Sequence, residues 1–298
     1  MAKDLMKTWF LQVRGPFLIL SVMLVLIGIA AAGYNGTTHW GHSLLLLFGV
    51  VLTHISVNLF NELSDYHTKI DENTWRTPFS GGSGLMQAGL TSPNSVRLAA
   101  YAALCVSGLI GLYFCLVSGW PIAIFMVIGA LAIRFYTTHF AKIVLGELIS
   151  GLTLGSCVVM GVYYALTKEL TLPVIMVSIS PGLLTSLLLF LNEFPDMEAD
   201  KKGGRHHLVI LLGRAKSAKA YAFVMTAVYL VIIINPMLFK VPRLTWIACL
   251  TLPVALRASV TVLKQYDQIE KLIPALGMNV MVVLATDLML ALAYFFST

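Results

Sequence analysis

Apolar residues fall in nine long runs, at about 16–33, 42–60, 98–117, 119–135, 147–166, 171–191, 219–239, 244–262 and 273–296. Each is close to the roughly 20 residues an α-helix needs to cross a hydrocarbon core. Polar and charged residues gather between the runs, so the pattern predicts an all-α, multi-pass bundle of nine transmembrane helices. Only Ser118 and Gly119 divide the third run from the fourth. Two connections are long, 61–97 and 192–218, and follow the second and sixth predicted helices. The turn formers of RTPFSGGSG (76–84) and the KKGGR stretch (201–205) predict ordered loops or short helices there. No soluble domain and no low-complexity tract interrupts the pattern.

Composition agrees with this reading. Hydrophobic residues make up 58% of the 298 and charged residues 11%, against about 25% charged in soluble domains. With the N-terminus in the cytoplasm, every one of the 20 Lys and Arg residues except Lys168, Lys240 and Arg243 lies on the cytoplasmic side. That asymmetry is the positive-inside rule and sets the expected orientation. The net charge of +6 then faces anionic lipid and calls for no nucleic-acid partner. The basic start, 1–15, leads into an apolar run without a small-residue cleavage site, so an uncleaved first helix is expected rather than a signal peptide. Cys105, Cys115, Cys157 and Cys249 fall inside predicted helices at no metal-ligand spacing and read as packing residues.

The chemistry concentrates in two acidic segments. NELSDYHTKID (61–71) and NEFPDMEAD (192–200) both open with Asn-Glu, place an Asp four residues after the Asn, and are followed by cationic residues and a Gly pair. The similarity points to a duplicated helical unit and to two acidic segments on one side of the membrane, able to face each other across a cavity. At helical spacing His54, Asn58, Asn61 and Asp65 share an arc of about 60°, and Asn192, Asp196 and Asp200 one of about 80°. Pro195 is expected to bend or end the sixth helix nearby. One such cluster alone is as readily a solvated helix end. Two together form oxygen-rich faces that repel themselves unless cations lie on them. Magnesium takes such ligands, usually one or two carboxylates together with substrate phosphates. With Arg76, Lys142, Lys201, Lys202 and Arg205 available for phosphate oxygens, the expected ligand is a diphosphate. At the mouth of an apolar bundle, its tail would be polyisoprenyl.

These residues resemble the UbiA superfamily of intramembrane prenyltransferases. The resemblance is carried by N-x3-D at Asn61 to Asp65 with Asp71 beyond, and by D-x3-D at Asp196 to Asp200. NLFNELSDYHTKID, GLMQAGLTS, FYTTHFAKIVLGE and HHLVILLG are most similar to the menaquinone-pathway enzymes that prenylate 1,4-dihydroxy-2-naphthoate. The similarity spans most of the chain and implies a single prenyltransferase domain over 1–298. It also implies a site opening to the cytoplasm, with magnesium held by Asn61, Asp65, Asp71, Asp196 and Asp200. Asp65, Asp196 and Tyr136 would be catalytic, and Asn61, Arg76, Lys142, Asn192 and Lys201 would contact the diphosphate. The implied partners are a polyprenyl diphosphate, an aromatic quinone precursor and the bilayer of a prokaryotic cell membrane, with no obligatory protein partner. Two departures stand out. Glu62 replaces the Asp of many members, and Asp71 lies six residues after Asp65, the longer spacing associated with the menaquinone branch.

Other residues carry two readings each. His54 reads first as a hydrogen-bonded structural residue and second as a contact to the acceptor ring. Asp287, deep in a predicted span, is a functional candidate by default, as a group binding the acceptor or taking its proton; a structural partner is the other reading. Tyr136 could present its ring to a carbocation or belong to an interfacial aromatic belt. Glu147 could favour a helix N-terminus or bind the acceptor. SGGSG (80–84) lacks the Lys-Ser or Lys-Thr ending of a phosphate-binding loop and reads as a flexible segment. Among rival functions, a cation transporter would hold its ions near the midplane, whereas these motifs fall at helix ends. A lipid phosphotransferase would group its aspartates in one compact motif. Prenylation of another quinone precursor, such as 4-hydroxybenzoate or homogentisate, remains the nearest alternative.

Overall fold

The protein is described by a computed structural model covering residues 2–70, 74–135 and 144–297. All regular structure among the described residues is helical. The chain runs through α1 (Ala2–Gln12), α2 (Ile19–Tyr34), α3 (Trp40–Thr68), α4 (Pro93–Ser118), α5 (Pro121–Phe135), α6 (Gly146–Thr167), α7 (Leu172–Lys202), α8 (Leu208–Leu238), α9 (Arg243–Gln265) and α10 (Ile269–Phe295). Each of the nine apolar runs holds a helix. Eight of those helices are long and apolar enough to cross a membrane; the described part of α5 is 15 residues. The protein is a multi-pass membrane protein.

Short α1 comes before the first span, with Leu5, Met6, Phe10 and Leu11 exposed, an apolar surface suited to the lipid interface. The chain then turns sharply at Arg14, which sits in the left-handed region at φ 53°. Gly15 follows because a Cβ there would run into the Phe10 ring. The bundle closes by packing α3 on α4, α7 on α8, and α2 on α10. Leu24, Val25 and Ile27 of α2, Leu184, Leu187 and Leu191 of α7, and Val282 and Val283 of α10 are fully buried.

Helix α6 contains a π-helical turn at Gly151–Ser156, a local widening that recurs at functional sites. It lies against α7 at close range: a Cβ on Gly155 would stand 2.6 Å from Gly182 Cα. Two hydrogen bonds fix the approach, Ser156 Oγ donating to Ser178 O (2.9 Å) and Ser186 Oγ to Glu147 O (2.8 Å). Helix α7 is not ended by Pro195; it continues to Lys202 with Pro181 and Pro195 inside it. Proline removes one backbone donor per position, a loss that a well-packed helix of this length absorbs. As a result Asn192, Asp196 and Asp200 stay on one helix.

Glu62, fully buried on α3, ties the surrounding loops together. It accepts hydrogen bonds from Gln12 Nε2 (3.2 Å), Arg14 Nε (2.9 Å), the Ser83 amide (2.9 Å) and Ser83 Oγ (2.5 Å). Thr91 Oγ1 donates in turn to Gln12 Oε1 (2.6 Å). The glycine-rich loop of 80–84 is thus clamped against α3. Breaking a buried ion pair by deleting one partner costs about 3–5 kcal/mol. Glu62→Ala is expected to lower the unfolding midpoint of detergent-solubilised protein markedly and Glu62→Gln less so, as read by thermal denaturation.

Candidate active site

Where α3 and α7 leave the apolar core, the two acidic faces come together. Asn61 and Asp65 of α3 line one cavity of about 130 Å³ with Asn192, Glu193, Asp196 and Asp200 of α7. Its wall is completed by Arg14, by Ser80, Gly81 and Gly82 of the clamped loop, and by Arg205 and His207 between α7 and α8. Asp65 and Asp200 are buried; Asn61, Asn192 and Asp196 are partly so. The i, i+4 spacing on each helix is what turns these oxygens toward one space.

Arg205 joins the two motifs. Its Nη1 donates to Asp200 Oδ1 (3.0 Å) and its Nη2 to Asp65 Oδ1. One guanidinium therefore bridges a carboxylate of α3 and a carboxylate of α7 in a partly buried setting, where charge-assisted bonds are strongest. It also lines the cavity. Removing one preorganised charge-stabilising donor costs about 10²–10³ in turnover, so Arg205→Ala is expected to lose activity on that scale, measured by product formation at saturating donor.

A second, apolar cavity of about 600 Å³ begins where the polar one ends. Arg14, Asn61, Phe79, Leu189 and Asn192 line both. From there it runs between α3, α4, α5 and α6 past Leu46, Ile110, Phe114, Met126, Leu154 and Val162. A polar head space opening into a long hydrocarbon space suits an amphiphile with an anionic end.

The remaining expected residues are placed as follows. Tyr136, Lys142 and Asp71 lie outside the described residues. Arg76 folds back on its own loop, its Nε donating to Gly81 O (3.2 Å), with its guanidinium against Gly84. Lys201 is exposed at the end of α7. Neither is part of the cavity wall among the described residues. His54 is engaged with Ser21 Oγ (2.7 Å) while lining the apolar cavity, and Asn58 Nδ2 donates to Val13 O (2.9 Å). The stripe above Asn61 thus serves packing at these atoms. Asp287 is fully buried away from both cavities; Thr286 beside it bonds Thr251 (2.8 Å) instead.

Sequence reasoning gave no site role to Arg14, Glu62, Glu193 or His207. The signal for two of them was present: Glu62 and Glu193 are the second residues of the repeated Asn-Glu pair. Arg14 and His207 stand in connections and are brought to the cavity only by the fold.

Comparison with known proteins bears on the same residues. The UbiA prenyltransferase family model matches residues 21–281. The 1,4-dihydroxy-2-naphthoate octaprenyltransferase of Bacillus subtilis is 30% identical over 203 residues, 67% of this chain and 64% of that protein. The Escherichia coli protein of the same name is 25% identical over 302 aligned positions, 98% of this chain and 96% of that one. In fold the chain is similar to a UbiA homologue from Aeropyrum pernix, at 16% identity and TM-score 0.67 over 90% of this chain and 95% of that one. It is also similar to a homologue from Archaeoglobus fulgidus bound to DMAPP and Mg2+, at 13% identity and TM-score 0.64 over 97% and 99%. With paired acidic faces at the head of an apolar cavity and a family match that runs through both motifs, this chain belongs to the UbiA prenyltransferase family.

Proposed function

We propose that this protein transfers a polyprenyl group from a polyprenyl diphosphate to 1,4-dihydroxy-2-naphthoate, with magnesium, at the cytoplasmic face of a prokaryotic cell membrane. The observation that carries this reading is the meeting of the two cavities at Asn61 and Asn192, which matches a ligand with a charged head and an oily tail. The acceptor follows from the named activity of the Bacillus subtilis and Escherichia coli relatives.

The donor set fits magnesium. Asn61, Asp65, Asn192, Asp196 and Asp200, which line the cavity, each carry a carboxylate or amide oxygen, the ligand type a hard cation prefers. Asp196 Oδ1 is buried without a hydrogen-bond partner, a cost that a cation would relieve. Asn61, Asp65, Asp196 and Asp200 would hold the metal, with Asp71 and Asn192 beside them. Bound there, magnesium would neutralise diphosphate charge and make pyrophosphate a better leaving group.

The chain supplies the rest. Arg205 and Arg14 hold positive charge at the wall where pyrophosphate departs with the electron pair of the allylic C–O bond. The allylic carbon then bonds to an aromatic carbon of the acceptor, and the proton on that carbon, or its carboxyl group as carbon dioxide, leaves with its bonding pair returned to the ring. Leu46, Phe114 and Val162 hold the hydrocarbon and exclude water, which would otherwise quench the cation. Tyr136 and Lys142, expected beside the cation and the phosphate, complete the proposed site, as do Arg76 and Lys201 if their side chains turn inward on binding.

Purified protein with magnesium and a polyprenyl diphosphate is expected to prenylate dihydroxynaphthoate in preference to 4-hydroxybenzoate and homogentisate, read by mass spectrometry of extracted lipid. Equal or greater turnover of either competitor would replace the proposed acceptor. No transfer to any of the three would remove the reading.

A further inference from the structure

Beside the head-group cavity three buried side chains converge that belong to neither N-x3-D nor D-x3-D. Glu147 starts α6, Glu193 is on α7, and His207 caps the start of α8. One ligand atom from each lies within 4.8 Å of the other two. All three residues are more than nine-tenths buried, at 3%, 8% and 4% exposure. Their polar atoms are incompletely matched: Glu147 Oε2, Glu193 Oε2 and both ring nitrogens of His207 have no hydrogen-bond partner among the described residues. The nearest approaches of the ring are 3.4 Å, Nδ1 to Glu193 Oε2 and Nε2 to Asp200 Oδ2.

Comparison within the chain sharpens the point. Glu62 and Glu193 occupy the same place in the two repeated segments, yet Glu62 is met by four donors, one of them an arginine, while Glu193 faces a second carboxylate and an imidazole. Arg205, two residues before His207, is engaged with Asp65 and Asp200. Two carboxylates brought together out of water need a cation or a proton between them.

The geometry points to a binding site for one divalent transition-metal ion of the zinc class at Glu147, Glu193 and His207, adjoining the Asn and Asp side chains that suit magnesium. One imidazole and two carboxylates form a three-ligand set of the kind zinc accepts, with a further position left for solvent. The imidazole nitrogen favours zinc and its neighbours over magnesium. Outer contacts already orient the ligands. Glu147 Oε1 accepts the Leu208 amide (2.7 Å) and its carbonyl accepts Ser186 Oγ (2.8 Å), the support metal ligands characteristically have. Glu193 and His207 also border the head-group cavity, which supplies an entry path. The ion would clip the starts of α6 and α8 to α7 alongside the transferring head group.

The test uses the full chain in lipid nanodiscs, dialysed against Zn2+ in the presence of excess Mg2+, with zinc counted by elemental analysis. One zinc per chain is expected in the unsubstituted protein and in the Asp65→Asn/Asp196→Asn double variant. His207→Asn and Glu147→Gln are expected to lose it, with affinity down about tenfold or more. Both substitutions keep the local fold, since Asn is a good helix N-cap and Gln retains an acceptor for Leu208. Zinc is also expected to raise the thermal midpoint of the unsubstituted protein and not of His207→Asn. Undiminished zinc in His207→Asn, loss of zinc from the double Asp variant, or no zinc retained by the unsubstituted protein would each overturn the site. None of these results bears on prenyl transfer, which is measured separately with magnesium.

Discussion

Asp65→Ala and Asp196→Ala are each expected to lose turnover by a factor of about 10³, while the protein still inserts and elutes as a single species. The two residues stand on different helices, α3 and α7, in one cavity wall. Losing either removes one of the three carboxylates, Asp65, Asp196 and Asp200, that would hold a metal-bound head group. Asp65 carries a second burden as partner of Arg205, so its removal also loosens the guanidinium. Arg205 keeps its bond to Asp200 (3.0 Å), which is why the fold is expected to survive. The assay is product formation from a polyprenyl diphosphate at saturating magnesium, with size-exclusion chromatography as the control for folding. Full activity in either variant would show that the two faces do not act together.

Filling the apolar cavity is expected to change which donor is used. Gly108 of α4 and Gly129 of α5 line it, and a Cβ at either meets no atom within 4 Å. Gly108→Phe and Gly129→Phe therefore place a large ring in hydrocarbon space without forcing a clash at Cβ. Turnover of a long polyprenyl diphosphate is expected to fall by about two orders of magnitude, the scale on which misplacing the reacting group acts, while dimethylallyl or geranyl diphosphate is still used. A uniform loss across all donors would mean that the tail lies elsewhere. Measured as a ratio of kcat/KM for long and short donors, the effect separates tail accommodation from general damage.

What the sequence made legible is what depends on neighbours along the chain. The apolar runs gave their helices because an uninterrupted stretch of about 20 apolar residues has few other ways to satisfy its backbone in lipid. Asn61 with Asp65, and Asn192 with Asp196 and Asp200, were readable because a four-residue spacing is itself a helix face. Pro195 shows the limit of such local rules: of the bend or end expected from its missing donor, the end does not occur, since α7 runs on to Lys202. Roles set by distant contacts were not readable. Glu62 takes its meaning from Gln12, Arg14 and Ser83, and Glu147 from Leu208, 61 positions away. Arg205 was visible as one cation among several; that it bridges Asp65 and Asp200 depends on how α7 and α8 meet α3. Much of the apolar cavity wall is Leu, Ile, Val and Met, residues interchangeable in sequence, so its course follows from packing.

The central claim is that the faces of α3 and α7 grip one diphosphate whose hydrocarbon runs into the cavity behind them. A structure of the protein with Mg2+ and a polyprenyl thiodiphosphate that resists cleavage tests this most directly. The account predicts the head group between Asn61, Asp65, Asp196 and Asp200, with the chain passing Phe79 and Leu189 toward Phe114. Density for the head group outside that cavity, or for the tail along another helix pair, would contradict it.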